Sequence, residues 1–221
     1  MPKINVYLPD ELAETVKELN IPVSAICQRA LEGSVKRIAA IRALTVEDLR
    51  RENTSQFTDR AWNALRIAAR SSGGARIGTG HMLKGIVDEG ANLALEVLRA
   101  IDIEPEGLPS FVPGDVNQKP GFAADGANAL ELAVTEAVAL GHNYVGCEHL
   151  LLGIIAEPDG LGGQELRELG AELKSARRAV LSALAGIVHL KKQQQAVPDA
   201  AKVLEMIMAR LDRLEKHAGI G

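Results

Sequence analysis

The sequence IGTGHMLKGI at residues 77–86 returns in altered form as VGCEHLLLGI at residues 145–154. The similarity extends towards the N-terminus, because Phe57 aligns with Phe122 and each is followed six residues later by Asn-Ala-Leu. A short gap in the first copy separates the two matched parts. Two tandem copies of one helical unit are therefore predicted, each too small to bury a core of its own.

Apolar residues in both copies recur at helical spacing. Leu65 and Leu130 belong to matching apolar stripes, which predict packed amphipathic helices. Thr79 and Cys147 stand where the next helix of each copy is expected to begin, and Thr is the better N-cap of the two. The composition agrees with helices, because 47% of the chain is hydrophobic but only 3% is aromatic.

The second copy contains a cluster that could bind a metal or act as a thiol catalyst: His142, Cys147, Glu148 and His149. Metal coordination needs three or four fixed ligands, but the first copy keeps only the second histidine, as His81. A histidine in the first turn of an apolar helix is usually a packed core residue. We therefore expect no metal, no cofactor and no enzymatic activity, with a metal or thiol site as the minor alternative.

The doubling, FTDRA at 57–61 and GHNYVGCEHLLLGI at 141–154 together resemble the Clp N-terminal repeat, the substrate-receiving domain of Clp-family ATPase unfoldases. The resemblance covers roughly residues 54–188 and implies a pseudo-symmetric bundle of eight helices, four per repeat. No G-x-x-x-x-G-K-[ST] loop for nucleotide occurs in the sequence. We therefore expect the receptor domain without its ATPase, similar to the stand-alone Clp N-domain proteins of actinobacteria.

The N-terminal segment has a different pattern. Ile4, Val6 and Leu8 alternate with polar residues, which predicts a half-buried strand. Asp10 and Ser24 are expected to cap the two helices that follow. Because one strand and two helices make little core, this unit is predicted to pair with a second copy of itself.

This strand–helix–helix pattern, with LPDEL at 8–12 and VSAICQRAL at 23–31, resembles the ribbon-helix-helix DNA-binding family. In that family the strands of two chains pair and enter the major groove, while a helix N-terminus grips a phosphate. The DNA-binding positions that the resemblance implies are Lys3, Asn5, Tyr7 and Ser24. The alternative is that these are solvated residues of a unit that only dimerises.

The Clp resemblance also implies ligand-binding positions. Contacts to cyclic-peptide antibiotics come from the start of each repeat, and the matching residues are Thr54, Trp62, Leu65 and Phe122. Thr54 and Trp62 depart from the Phe and Arg of the family pattern, and burial of Trp62 and Phe122 between the repeats is the alternative. Glu148 matches a glutamate that binds phosphoarginine in some Clp receptors, whereas Gly80 replaces its counterpart; a purely electrostatic role at the helix N-terminus is equally open.

The expected fold class is mainly α: a dimerising ribbon-helix-helix of one strand and two helices, then the eight-helix bundle and a C-terminal helix. The predicted boundaries are 1–43 for the DNA-binding and dimerisation unit, 44–56 for a linker, 57–113 for the first repeat, 114–121 for the inter-repeat loop, 122–188 for the second repeat and 189–221 for a C-terminal amphipathic helix.

The function predicted from these units is a homodimeric DNA-binding transcriptional regulator, an autorepressor, whose Clp-type domain binds cyclic or linear peptides and Clp substrates or adaptors. The alternative is a non-catalytic decoy or adaptor of the Clp protease system. The net charge of −4 lacks the excess of positive charge that is typical of nucleic-acid-binding proteins. DNA binding would therefore have to come from a small local surface. With no signal peptide, no long apolar run and two cysteines in helical contexts, a soluble cytosolic protein without membrane contact is expected.

Overall fold

The computed structural model describes residues 5–52, 56–108 and 119–196. These ranges contain ten α-helices, one short 3-10 turn at Pro105–Gly107 and no strand. The helices are α1 (Asp10–Glu18), α2 (Val23–Ala43), α3 (Val46–Glu52), α4 (Asp59–Ser71), α5 (Thr79–Glu89), α6 (Leu93–Ala100), α7 (Ala124–Ala139), α8 (Cys147–Ala156), α9 (Leu161–Glu168) and α10 (Leu173–Ala196). The mainly helical fold class is confirmed.

The two sequence copies form matching helix sets. In the first copy α4 packs on α5, and in the second α7 packs on α8. The gap in the alignment has a structural cause, because α4 is 13 residues long and α7 is 16. Within the described ranges the first repeat contains three α-helices and the 3-10 turn, while residues 109–118 lie outside them. The predicted total of eight bundle helices is therefore not confirmed.

The repeats are joined by two reciprocal backbone pairings. Phe57 at the start of the first repeat pairs with Val145 before α8, and Phe122 at the start of the second pairs with Ile77 before α5. The backbone N–H of Ile77 donates to Gly121 at 2.9 Å. Each repeat thus supplies the partner for the other's first residues, which fits the prediction that neither buries its core alone.

A glycine in the middle of a helix permits close packing in each repeat. A Cβ atom at Gly85 of α5 would lie 2.2 Å from the carbonyl oxygen of Ala64, and one at Gly153 of α8 would lie 2.2 Å from that of Ala129. No side chain fits at such distances. The last residues of the repeated motif, KGI and LGI, therefore fix how closely the helices of each pair approach.

Two predicted boundaries fall inside packed structure. The segment 44–56 contains α3, whose Val46 and Leu49 are buried in the core. Helix α10 runs without a break across position 188, where the C-terminal helix was predicted to begin. The rest of that predicted helix, 197–221, lies outside the described residues.

The N-terminal helices begin differently from the prediction. Residues 5–9 are not in a strand in the single chain, and α1 begins directly after Pro9. Neither Asp10 nor Ser24 is an N-cap, because each lies in the first turn of a helix whose N-cap is a proline, Pro9 or Pro22. Proline disfavours helical conformation in the residue before it, so neither helix extends upstream of its proline, and each begins at the next residue. None of the described helices is long and apolar enough to cross a bilayer.

Candidate functional site

The histidine shared by the repeats completes the N-terminus of a helix. The backbone N–H of Gly146 donates to Nδ1 of His149 at 2.9 Å, and that of Gly78 donates to Nδ1 of His81 at 3.2 Å. Gly78 and Gly146 are the N-caps, so the prediction of N-caps at Thr79 and Cys147 was wrong by one residue. The third helical residue reaches back to the cap, as in a capping box.

In the second repeat this hydrogen bond continues into a chain of rings. Nε2 of His149 lies 2.8 Å from Nδ1 of His142, whose ring stacks on Tyr144. Because Nδ1 of His149 accepts a hydrogen bond, its proton is assigned to Nε2, which donates to His142. Burial and the neighbouring His142 lower the pKa of His149 to about 4. His149 is therefore a neutral structural residue at physiological pH.

The other residues of this cluster are poorly suited to catalysis. Cys147 is buried, and burial raises the pKa of its thiol far above the ordinary value, so the nucleophilic thiolate is not formed. Burial also raises the pKa of Glu148, whose carboxylate lies 3.4 Å from the neutral ring of His149. Among the residues that the structure describes, no three His, Cys, Asp or Glu side chains are grouped to hold a metal.

The first repeat has the same histidine cap but lacks the series of ring contacts that follows it in the second repeat. Counting seven residues back from His81, as from His149 to His142, gives Gly74, which has no side chain to accept a hydrogen bond. Nε2 of His81 is buried and has no partner among the described residues. Burial lowers the pKa of His81, so its ring is neutral and carries its proton on this unpartnered nitrogen.

His81 lines a cleft between the repeats. The residues around this inter-repeat cleft include Arg76, Gly78, Gly80, His81, Asp125, Glu157, Asp159 and Gly160. Oδ2 of Asp125 accepts hydrogen bonds from the backbone N–H and the hydroxyl of Thr79, at 2.8 and 3.0 Å. Oε2 of Glu157 accepts from the backbone N–H of Gly160 at 2.6 Å, whereas its Oε1 has no partner in the described part of the chain. Neither carboxylate is among the site residues predicted from the sequence.

The residues predicted to bind peptides are in the core. Leu65 and Phe122 have no exposed surface, and Trp62 is 3% exposed with its ring 4.8 Å from that of Phe57. These side chains are therefore not accessible to a ligand. The alternative prediction, that Trp62 and Phe122 are buried, agrees with the structure. Thr54 lies outside the described residues.

The residues predicted to bind DNA are accessible where they are described. Asn5 and Ser24 are exposed, and Tyr7 is 94% exposed. Lys3 lies outside the described residues. The surrounding helices α1 and α2 contain no buried residue.

The second half of α2 docks on the second repeat through one ion pair. Nε of Arg37 donates to both carboxylate oxygens of Glu131 on α7 at 2.8 Å, and the hydroxyl of Ser34 adds a bond at 3.1 Å. Glu131 is buried, whereas more than half of the Arg37 side chain is exposed. Ile38 and Ile41 of the same helix pack against the core. Helix α2 thus belongs to both the N-terminal unit and the repeat domain.

Comparison with known proteins finds similarity to a family of repeat domains. The profile of the Clp repeat (R) N-terminal domain family matches residues 121–219. Residues 121–219, which include the second repeat, are thus similar to that family. The reciprocal pairings and paired glycines described above give the physical basis of that repeat.

Several curated proteins are similar to it. Over 138 residues the chain is 36% identical to the negative regulator of genetic competence ClpC/MecB of Bacillus subtilis (strain 168), covering 58% of this chain and 17% of that protein. Over 155 residues it is 32% identical to the chloroplastic chaperone protein ClpC1 of Oryza sativa subsp. japonica, covering 66% of this chain and 17% of that one. The chain therefore spans only about a sixth of the length of these relatives.

Among solved structures, the N-terminal domain of the caseinolytic protease associated chaperone ClpD from Arabidopsis thaliana is 22% identical. The match covers 59% of this chain and 95% of that one, with a TM-score of 0.41.

Proposed function

We propose that the chain is a non-catalytic, homodimeric peptide receptor of the Clp type, and that its paired N-terminal units bind duplex DNA as a transcriptional regulator. The observation that carries the proposal is the exposure of the N-terminal unit's apolar residues. Each of the following is between 40% and 67% exposed: Leu12, Leu19, Val23, Ile26, Leu31 and Val35.

Such a surface is unfavourable in water, because burying one large aliphatic side chain contributes about 1.5–3 kcal/mol. A second copy of the same unit covers this face by symmetry, and the closed two-fold dimer is the commonest oligomer. Pairing also gives residues 5–9 the neighbouring strand that a single chain lacks. In the proposed ribbon, Val6 and Leu8 face the helices, so Asn5 and Tyr7 face outward by the alternation of a strand.

Outward-facing Asn and Tyr side chains are suited to reading base edges in the major groove, and Ser24 is suited to a phosphate contact. A band-shift titration with specific and random duplexes tests this role. Lys3→Ala and Asn5→Ala are expected to abolish the preference for the specific duplex and to leave the dimer intact. Equal affinity of the wild-type protein for both duplexes would exclude sequence-specific regulation.

The peptide-receptor role is supported by the similarity of residues 121–219 to the Clp repeat (R) N-terminal domain family. Cyclic or linear peptides are the proposed ligands, Clp substrates and antibiotics included, but burial of Leu65 and Phe122 moves the proposed contact away from these side chains. Calorimetric titration of the full chain with a cyclic peptide, on and off DNA, tests the role. If the ligand prefers the DNA-free dimer, it must weaken DNA binding by the same factor.

Glu148 is the proposed contact for phosphoarginine. It lines a second cleft with Thr58, Tyr144, Glu96 and Leu184 of α10, and its carboxylate can accept from a guanidinium. One site at most is expected, since Gly80 replaces the glutamate of the first repeat. Calorimetry with phosphoarginine should give no more than one site, lost in Glu148→Gln and kept in Glu96→Gln, a change in the same cleft. Two equal sites, or one indifferent to Glu148, would refute this assignment.

A decoy or adaptor of the Clp system is the second candidate. It is favoured by the similarity to the Clp repeat (R) N-terminal domain family, and it needs the N-terminal unit only for dimerisation. The two candidates differ in one property. A decoy binds Clp ligands as a dimer without any preference among duplexes, whereas the regulator has that preference.

A further inference from the structure

We infer that the inter-repeat cleft binds the free amino terminus of a peptide. Glu157 and Asp125 hold the terminal ammonium, and His81 donates a hydrogen bond to the carbonyl oxygen of the first peptide residue. This assignment deepens the proposed receptor function and rests on it. Three features of the cleft support it: an unpartnered acceptor, an unpartnered donor and an excess of negative charge.

The acceptor is Oε1 of Glu157. This residue is only 1% exposed, and its other oxygen already accepts the backbone N–H groups of Asp159 and Gly160. Oε1 has no partner among the described residues. Leaving a buried carboxylate oxygen without a donor is costly, so a donor group bound in the cleft stabilises it.

The donor is Nε2 of His81. Its Nδ1 is occupied by the N–H of Gly78, so the neutral ring presents an N–H at Nε2. In the second repeat the same nitrogen of His149 is satisfied by His142, but Gly74 stands at the matching place in the first. The two repeats therefore differ at this atom, and of the two histidines only His81, which lines the cleft, has an unused donor.

The two carboxylates converge beside Gly160. A Cβ atom added there would lie 2.8 Å from Oδ2 of Asp125 and 2.8 Å from Oε2 of Glu157. Asp159 adds a third negative charge to the lining, against one positive charge from Arg76, whose Nε already donates to a backbone carbonyl. This balance favours a cation and disfavours a carboxylate.

The cleft also has room for a chain end. Its volume is about 880 Å³, counting the solvent at its mouth, and Gly80 contributes no side chain where the second repeat has Glu148. A peptide amino terminus combines an ammonium, which has three N–H donors, with the carbonyl oxygen of the same residue. A lysine side chain supplies the ammonium alone and leaves His81 without an acceptor, so the terminus is the better match.

The test is a titration of the ¹⁵N-labelled full chain with trialanine amide, followed by the backbone amide signals of Gly78 and Gly160. N-acetyl-trialanine amide, which has no ammonium, is the matched probe. We expect saturable shifts with the free amine and at least tenfold weaker binding after acetylation. Glu157→Gln is expected to weaken binding of the free amine about tenfold, because Gln keeps an acceptor for the loop N–H groups but loses the charge. Glu168→Gln, at an exposed position of α9 outside the cleft, is the control and should leave binding of the free amine unchanged.

Equal binding of both probes, or a Glu157→Gln protein that binds like wild type, would overturn the assignment; the second result would leave these atoms to ordered water. A matching peptide with acetylated terminus and a lysine side chain that bound as well as trialanine amide would also overturn it. Failure of the receptor function gives a different pattern. In that case neither probe, nor the cyclic peptide in calorimetry, binds at any accessible concentration.

Discussion

Arg37 of α2 binds both carboxylate oxygens of Glu131 on α7, a residue 94 positions further along the chain. Because α2 is one continuous helix of 21 residues, this contact fixes the exposed N-terminal half of the helix relative to the second repeat. Helix α2 therefore joins the proposed DNA-binding unit directly to the second repeat.

Replacing Arg37 by Ala should destabilise the protein by about 1–3 kcal/mol, because the buried carboxylate of Glu131 loses its charged partner and keeps only the Ser34 hydroxyl. The additional change Glu131→Gln should recover part of this loss, since no unpaired charge then stays buried. Urea unfolding measures both. Arg66→Ala, at an exposed site on α4, is the control and is expected to stay within about 0.5 kcal/mol of wild type. If Arg37→Ala matched that control, the contact would contribute nothing to docking.

The mid-helix glycines give the sharpest packing prediction. Gly153→Ala places a methyl group 2.2 Å from the Ala129 carbonyl, so α7 and α8 must separate, at a cost of about 1–3 kcal/mol or more. Gly186→Ala is the control, because nothing lies within 4 Å of the added group and α10 gains helix propensity. This control should be stabilised by about 0.5–1 kcal/mol. Thermal unfolding that moved in the same direction for both variants would contradict the packing.

Stability should fall as the pH falls from about 6.5 to about 4, in part because of His149. The unfolded chain binds a proton at this residue near the ordinary pKa of 6.5, whereas the folded chain does not until about 4. Protonation therefore favours unfolding across this window, by up to about 3 kcal/mol. Glu148 acts in the opposite direction, because its raised pKa means that the folded chain holds its proton more tightly than the unfolded one.

His149→Gln tests the contribution of this histidine. Gln at the third helical position can still reach the N-cap N–H, but it does not titrate. The pH dependence of the free energy of unfolding between 6.5 and 4 should become flatter in this variant. An unchanged slope would show that other groups account for the acid sensitivity.

The repeat was predictable from the sequence because the same apolar spacing and the same glycines occur in both copies. Buried stripes containing Leu65 and Leu130, and helices beginning at Thr79 and Cys147, follow from periodicity and from the aligned glycines. The capping role of the shared histidine was predicted only in part. Periodicity indicated a structural residue. The hydrogen bond from the N-cap glycine to the histidine depends on the backbone geometry of the helix start, which the sequence alone does not give.

The carboxylates were harder to find. Glu131 interrupts an apolar stripe, which is a signal for a buried ion pair, but its partner Arg37 is too distant in sequence to be recognised without the fold. Glu157 follows an apolar helix directly and looks like an ordinary surface residue. Burial of Phe122 was also missed as the main outcome, because the reciprocal pairing with Ile77 joins segments from different repeats.

The exposed apolar face of α1 and α2 predicts a dimer. Loss of this dimer should not change the stability of the repeat domain. Ile26→Asp puts a charge in the proposed interface and should convert the dimer to a monomer in sedimentation velocity. Val138→Asp, on an exposed valine of α7, is the matched control and should remain a dimer. Both variants should unfold at the wild-type urea concentration as monitored by Trp62 fluorescence. Dissociation by Val138→Asp alone would move the interface to the repeat domain.

The most direct test of the regulatory role is selection of duplexes from a random pool by the full-length protein. A two-fold dimer that reads bases should enrich a symmetric site of two half-sites, and Asn5→Ala should lose that enrichment while remaining dimeric. A dimer that enriches no sequence over several rounds would contradict the account and leave the N-terminal unit as a dimerisation device alone.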